Sequence, residues 1–298
     1  MTDAHGRKLE LTMKDVFRLA NQYPAIEDVP DPDRVRLPLC GAGVTVRVGD
    51  TVASGQRVAV AASPLAGDIC ASIAGTVTAI DGAHLTIEAQ DSQDAPPPRL
   101  GEVAGSDAEA LRKSLASLGV ACADLADADL VIVNAVEPEP GVSCFGAFCR
   151  YEAPAMLAGA RLAQRLAEPS RIVLAMPRGA KLSLGPNPVF EIEPRHPGGL
   201  DPLVARAVSG RERPGDVIVL GADRLWRMGS AALEGKAATR AVLSVAGRTL
   251  RVAVGASVRH VLEFAGIEPR EGDRVLLGGV LRGEAVWDLD APVTLDAY

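Results

Sequence analysis

The sequence predicts a multi-domain α/β protein made of three successive modules. Three observations carry this. From Arg34 to Ala89, short β-type runs (VTVRV, RVAVAA, ICASI, GTVTAI, HLTIEA) alternate with Gly-Asp, Ser-Gly and Asp-Gly turns, the pattern of a compact all-β module. From 107 to 236 strand and helix patterns alternate, which predicts an α/β domain with a largely parallel sheet. From 237 to 298 the order is strand, strand, helix, strand, strand, so that one helix lies across a small sheet in a β-grasp arrangement.

Residues 1–33 precede these modules as an N-terminal arm. TMKDVFRLANQ predicts a short helix capped by Thr12, and Pro24, Pro30 and Pro32 then force extended chain. Residues 90–106, QDSQDAPPPRLGEVAGS, are polar and proline-rich and predict a linker. In the α/β domain the pattern predicts helices over Ala108–Leu118, Arg150–Ala167, Asp201–Val208 and Arg224–Leu233. It predicts strands over Leu130–Asn134, Arg171–Met176, Val189–Glu193 and Asp216–Leu220. Gly210, Gly221 and Gly235 punctuate element ends. In the last module Ser257 caps a helix whose Val258, Val261, Leu262 and Ala265 share one face.

Composition excludes several classes of function. Of 298 residues, 48% are hydrophobic but only 3% aromatic, so the core is built from Ala, Val, Leu and Ile. A net charge of −7 argues against non-specific nucleic-acid binding. No apolar run approaches the ~20 residues of a membrane span. The N-terminus lacks the apolar segment of a secretory signal. A cytoplasmic chain is expected, with any membrane contact made through partners. Five cysteines (Cys40, Cys70, Cys122, Cys144, Cys149) form no C-x-x-C pair, and four scattered histidines stand at no metal-ligand spacing. No Fe–S cluster and no metal site are therefore expected. Cys144 and Cys149 flank an acidic loop and would become redox partners if that loop folds back.

The candidate site is VNAVEPEPG, Val133 to Gly141, where a buried strand ends in Asn134 and two glutamates, Glu137 and Glu139, each precede a proline. Two readings stand side by side: a loop that grips a ligand, or a rigid solvated loop whose φ angles Pro138 and Pro140 restrict. Arg224 likewise reads as an anion contact or as a surface arginine.

The segments RVRLPL, VRVGDTVASGQ, ASIAGTVTAI, VNAVEPEPG, RERPGDVIV, SVAG and RVLLGGVLRGEAV, in this order, resemble the RnfC family, the NADH-side subunit of a membrane ion-pumping ferredoxin:NAD oxidoreductase. The resemblance runs from about Arg34 to Tyr298. It implies a barrel-sandwich module (biotinyl/lipoyl-like) at 34–89, a Rossmann-like domain at 107–236 and an SLBB β-grasp module at 237–298. It implies FMN and NADH as ligands, with Asn134, Glu137, Glu139 and Gly141 as cofactor-binding positions. Partner subunits of a membrane electron-transfer complex follow from the same resemblance.

The departures are as informative. There is no lysine between Lys14 and Lys113, so the tip at Ala71-Ser72-Ile73 carries neither lipoate nor biotin. The glycine-rich flavin loop is replaced by LRKSLASLGVACADLADADL, with Gly119 its only glycine. Family positions for a Lys/Asp–Asp–Arg cluster hold Phe145, Gly146 and Ala147, and a third flavin loop falls on Gly221 and Arg224. The chain reaches Tyr298 without the family's cluster-binding cysteine runs. The apolar stretch Val142–Phe148 is expected to be an exposed contact for a partner. Three functions compete: an electron-transfer subunit with altered flavin pocket, a non-catalytic assembly or ligand-binding subunit, and a cobalamin-reductase-like subunit of a microcompartment.

Overall fold

The computed structural model describes residues 17–63, 65–90, 107–212, 214–270 and 272–297. In chain order the strands and helices are β1 (Ile26–Asp28), β2 (Arg34–Pro38), β3 (Gly43–Val44), β4 (Thr51–Val52), β5 (Arg57–Val60), β6 (Ile69–Cys70), β7 (Gly75–Ile80) and β8 (His84–Ala89). There follow α1 (Ala108–Ser117), β9 (Leu130–Asn134), α2 (Cys144–Tyr151), α3 (Ala153–Ala167), β10 (Arg171–Pro177), β11 (Val189–Ile192) and α4 (Asp201–Ser209). Last come β12 (Val217–Gly221), α5 (Ala222–Glu234), β13 (Arg240–Val245), β14 (Arg248–Ala253), α6 (Val258–Ala265), β15 (Val275–Leu277) and β16 (Glu284–Val286). The predicted linker at 90–106, but for Gln90, and the Thr12 cap lie outside the described residues.

The β module folds as two small antiparallel sheets, β2-β8-β7-β4 and β3-β5-β6. Alternation does the sorting: Val35 and Leu37 on β2, and Leu85 and Ile87 on β8, point inward and are fully buried. The tip at Ala71-Ser72-Ile73 is also buried, and Ser72 Oγ donates to the carbonyl of Val254 at 2.5 Å. The tip therefore rests on the C-terminal module. One core is common to the two modules, joining Val35, Leu37, Ile73 and Val77 to Leu243, Leu250 and Val252.

The α/β part is a four-stranded parallel sheet in the order β11-β10-β9-β12. Its central strand, LVIVN, is buried at every position, as expected of a strand covered on both faces. Asp107 caps α1 by accepting from Ala110 N at 2.7 Å. The single helix expected over Arg150–Ala167 is two helices, and the chain begins to coil already at Cys144. Pro154, in the first turn of α3, has no N–H with which to continue α2's bonding pattern. The expectation of an exposed Val142–Phe148 is corrected: Val142, Cys144, Phe145, Ala147 and Phe148 are all buried. From Cys144 to Cys149 every residue is buried, so this part of the helix shows no polar face to read from the sequence.

Two further expectations change. Phe17–Gln22 are not helical; Arg18 forms an antiparallel bridge with Arg195, and Leu19 and Tyr23 are buried. The arm is thus a tie. Its β1 lies parallel to β14, with Ile26 opposite Thr249 and Asp28 opposite Arg251, making a three-stranded sheet β1-β14-β13. The last two strands of the chain do not join that sheet. β15 and β16 pair only with each other, and the run VTLDAY forms no strand among the described residues.

Helices α3 and α5 meet where both carry glycine. A Cβ on Gly229 would fall 1.7 Å from the Ala155 carbonyl oxygen, and one on Gly159 2.2 Å from that of Leu225. Close backbone approach at this crossing sets the position of α5, and with it Asp223 and Trp226. Gly229→Ala is expected to cost about 2 kcal/mol through the forced separation. A urea titration checks this: the midpoint should fall with the slope unchanged, and an unmoved midpoint would show that the crossing is not tight.

Candidate functional site

Strand β9 runs up the middle of the parallel sheet, beside β10 and β12, and delivers Asn134 opposite Ala175 and Gly221. The carboxyl end of such a strand is where α/β sheets bind ligands. The loop that leaves it, Ala135 to Gly141, follows Asn134 and holds both glutamates singled out from the sequence. The structure brings these three polar residues together and buries all of them: Asn134 is 1% exposed, and Glu137 and Glu139 are 0% exposed. The reading of a solvated loop is therefore corrected.

Each residue is engaged by a different part of the chain. Asn134 Nδ2 donates to the Gly199 carbonyl and to Asp201 Oδ1, both at 2.9 Å, while its Oδ1 accepts from Val136 N at 3.0 Å. Glu137 reaches the start of α2, accepting from Phe145 N at 3.2 Å and Gly146 N at 2.9 Å. Those amides are among the four that a helix N-terminus leaves unpaired, and the carboxylate also meets the positive end of the helix dipole. The helix's own N-cap, Ser143, makes no side-chain cap, and its hydroxyl lies 3.1 Å from Thr249 Oγ1 instead. Glu139 crosses to the C-terminal hairpin, accepting from Leu281 N at 3.0 Å and Arg282 Nε at 2.7 Å.

Neighbouring glycines let the covering chain close in. A Cβ on Gly199 would stand 2.0 Å from the Glu137 carbonyl oxygen, and one on Gly279 2.3 Å from Glu139 Cγ. Gly146 faces the Tyr23 ring, where a Cβ would lie 2.0 Å from Cζ. Gly141, at φ +85°, takes the left-handed conformation that turns the loop toward α2. The loop is thus covered by the segment around Gly199, by the arm and by the hairpin turn. These positions do not fit FMN: both acids are buried, and their oxygens already accept hydrogen bonds from the chain itself.

Burial dominates the electrostatics. It pushes the Glu137 carboxyl up to about 8, with Asp223 adding to the rise and the two α2 amides opposing it. Burial also raises Asp201, opposed by the Asn134 hydrogen bond. Cys149 is pushed up to about 12, and Cys144 well above the usual thiol range, both chiefly by burial. Both are free thiols on α2, and five positions apart on a helix point side chains about 140° apart. The structure therefore does not make them redox partners. Arg224 is not an anion contact either: its Nε donates to the Ala121 carbonyl at 2.7 Å, and its Nη atoms pair with Asp124. Among the described residues no group of three or more His, Cys, Asp or Glu is placed to hold a metal ion.

Sequence reasoning missed the groups that complete the loop: Tyr23, Asp201, Asp223 and Arg282. Arg282 sits in a glycine-rich turn recognisable as GGVLRGEAV, but its acid partner is 143 positions away. Also missed is a cleft of about 610 Å³ between the arm, the Ser54-Gly55 turn and α5, walled by Trp226 and by the ion pairs of Arg240 with Asp31 and Arg251 with Glu152. No helix among the described residues is long and apolar enough to cross a membrane.

A β module fused through its core to a C-terminal sheet, with a parallel α/β sheet between them in sequence, defines a multi-module α/β protein closed around one acidic loop. Its β module is the part that a family model matches. Residues 16–94 match the RnfC barrel sandwich hybrid domain. Two curated relatives are the subunits lettered C of ion-translocating oxidoreductase complexes. The chain is 25% identical over 185 residues to that of Pseudomonas aeruginosa, and 22% identical over 188 residues to that of Pectobacterium carotovorum subsp. carotovorum. By these matches the chain carries an RnfC-type barrel sandwich hybrid domain and is similar to RnfC subunits over about half its length. Each alignment covers 55% of this chain but only 24% and 25% of the relative, about a quarter of its length. Crystal structures of an NAD+-reducing [NiFe]-hydrogenase are also similar. The H2-reduced state matches at 15% identity and a TM-score of 0.46, covering 64% of this chain and 45% of that one. The air-oxidised state matches at 14% and 0.47, covering 67% and 46%.

Two measurements check this geometry. The folded pKa of Glu137 lies above its unfolded value, so its contribution to stability is full below about 4.5 and lost as pH rises through about 8. The melting temperature should fall from pH 5 to pH 9, and Glu137→Gln, which resembles the protonated form, should flatten that slope; an unchanged slope would place the titration elsewhere. Glu139→Ala leaves the Leu281 amide and Arg282 without their acceptor and should cost about 2 kcal/mol. Hydrogen exchange should quicken in 275–286 ahead of the rest of the chain.

Proposed function

We propose that this chain is a subunit of an RnfC-type, membrane-associated electron-transfer complex in which it works by contact and not by carrying flavin. The curated relatives, subunits of ion-translocating oxidoreductase complexes, support the setting. Within this reading, 107–236 is a Rossmann-like domain with a closed nucleotide site, and 237–298 is an SLBB-type module laid over it. The observation that carries the reading is the complete burial of Glu137 and Glu139 against α2 and the hairpin turn. A loop that grips a nucleotide keeps its polar groups available; this one uses them to fasten three parts of its own chain.

Hydride transfer needs an organic or metal acceptor, since no side chain accepts a hydride. In this reading the acceptor sits on another subunit, and the chain supports its placement. A ligand-binding alternative is favoured by the cleft of about 610 Å³, which lies within the usual range for small-molecule sites.

The test is a flavin titration. The purified chain should show no flavin absorbance, and FMN at ~100 µM should keep its fluorescence, as expected for a Kd near 1 mM or weaker. Tight one-to-one quenching would overturn the reading. In parallel, the tagged chain expressed in its own host should retrieve membrane subunits of the complex.

A further inference from the structure

The C-terminal hairpin has an outer face that nothing among the described residues covers. In the register of β15 and β16, Leu276 stands opposite Ala285, and the next pair outward on that face is Arg274 with Trp287. Side chains alternate along each strand, so these four share one face, while Val275, Leu277 and Val286 are half-buried on the other. Trp287 is 83% exposed, and the Arg274 guanidinium lies 5.7 Å from its ring centroid. The turn adds exposed Val280 and Leu281. Four of the twelve large apolar side chains that the described residues expose fall between 276 and 287, too concentrated for the scattered exposure normal on a monomer.

The geometry points to this face as the docking surface for a partner protein that presents an apolar patch rimmed by carboxylates. The composition, Trp with Arg at the centre, is that of binding hot spots. The charge sets the partner's rim: on this face the charged side chain is Arg274, which has no carboxylate at ion-pair distance among the described residues, while Asp273, Glu284 and Asp288 alternate to the other face. A bilayer fits less well, because sinking the turn with Val280 and Leu281 would immerse both faces and carry Glu284 and Asp288 toward the headgroups, whereas a protein docks on the Trp287 face alone. A two-stranded ribbon is marginal alone, but this one is tied at its turn by Glu139, so the face is presented in a fixed position. The inference rests on the reading of the chain as part of a complex and names the surface through which it docks.

A photo-crosslinking residue placed at Val280, with Trp287 intact, tests it in the native host. The expected result is one adduct with a single other protein. That protein, identified and purified, should bind the full chain with an affinity that drops at least tenfold on Trp287→Ala and on Arg274→Glu, and that weakens with salt. Both substitutions lie at exposed positions and should leave the melting temperature unchanged. A covalent dimer of this chain, or flotation of the chain with phosphatidylglycerol/phosphatidylethanolamine vesicles that Trp287→Ala abolishes, would overturn the proposal. So would the absence of an adduct when the tagged chain still retrieves its complex, which leaves the broader function standing. Failure to retrieve any complex would overturn both.

Discussion

A carboxylate with no access to water, held against the first amides of a buried helix, is the constraint from which the rest of the architecture follows. Glu137 must lie at the end of the central strand and α2 must begin close to it, because each buried amide left unpaired there would cost about 1–3 kcal/mol. Once α2 is fixed, Phe148 stacks on Trp226 with ring centroids 4.8 Å apart, and α5 is located from both sides, by this stack and by the glycine crossing with α3. The same loop's other acid fastens the C-terminal hairpin. One short turn therefore sets the positions of elements drawn from most of the sequence.

Much of this was legible in advance. β9 runs Leu130–Asn134 as its apolar run predicts, and α1, α4 and α5 fall within two residues of their expected bounds, since each carries an amphipathic period or a cap. The polar residues of the loop stand out in the sequence. Their surroundings do not, because Pro138, Pro140 and two acids look solvated to any local reading, whereas the groups that bury them are backbone amides and a distant arginine. α2 was invisible for the opposite reason: CFGAFC is apolar on every side. β1, with sequence IED, has neither length nor alternation to announce a strand, and its partner is supplied from the far end of the chain.

The β module also changes meaning in its setting. In a carrier fold the hairpin tip is the business end, exposed so that it can travel. Here the tip at Ser72 is bonded to Val254, and the hydrophobic interior of the module continues into the C-terminal sheet. The module has become a foundation. Modules separated in sequence by the whole α/β domain share one core, so their relative position is as fixed as that of two layers in a single domain.

The pairing of β1 with β14 has a consequence for synthesis. Glu27 and Arg248, which bond across it, stand 221 positions apart. A ribosome releases residues 26–28 long before their partner strand exists, so this stretch waits, unpaired, while the 221 positions up to Arg248 are made. Contacts of such separation are slow to form. A strand made early is thus among the last to be placed, and its arrival, carrying Tyr23 over Gly146, closes the acidic loop from outside.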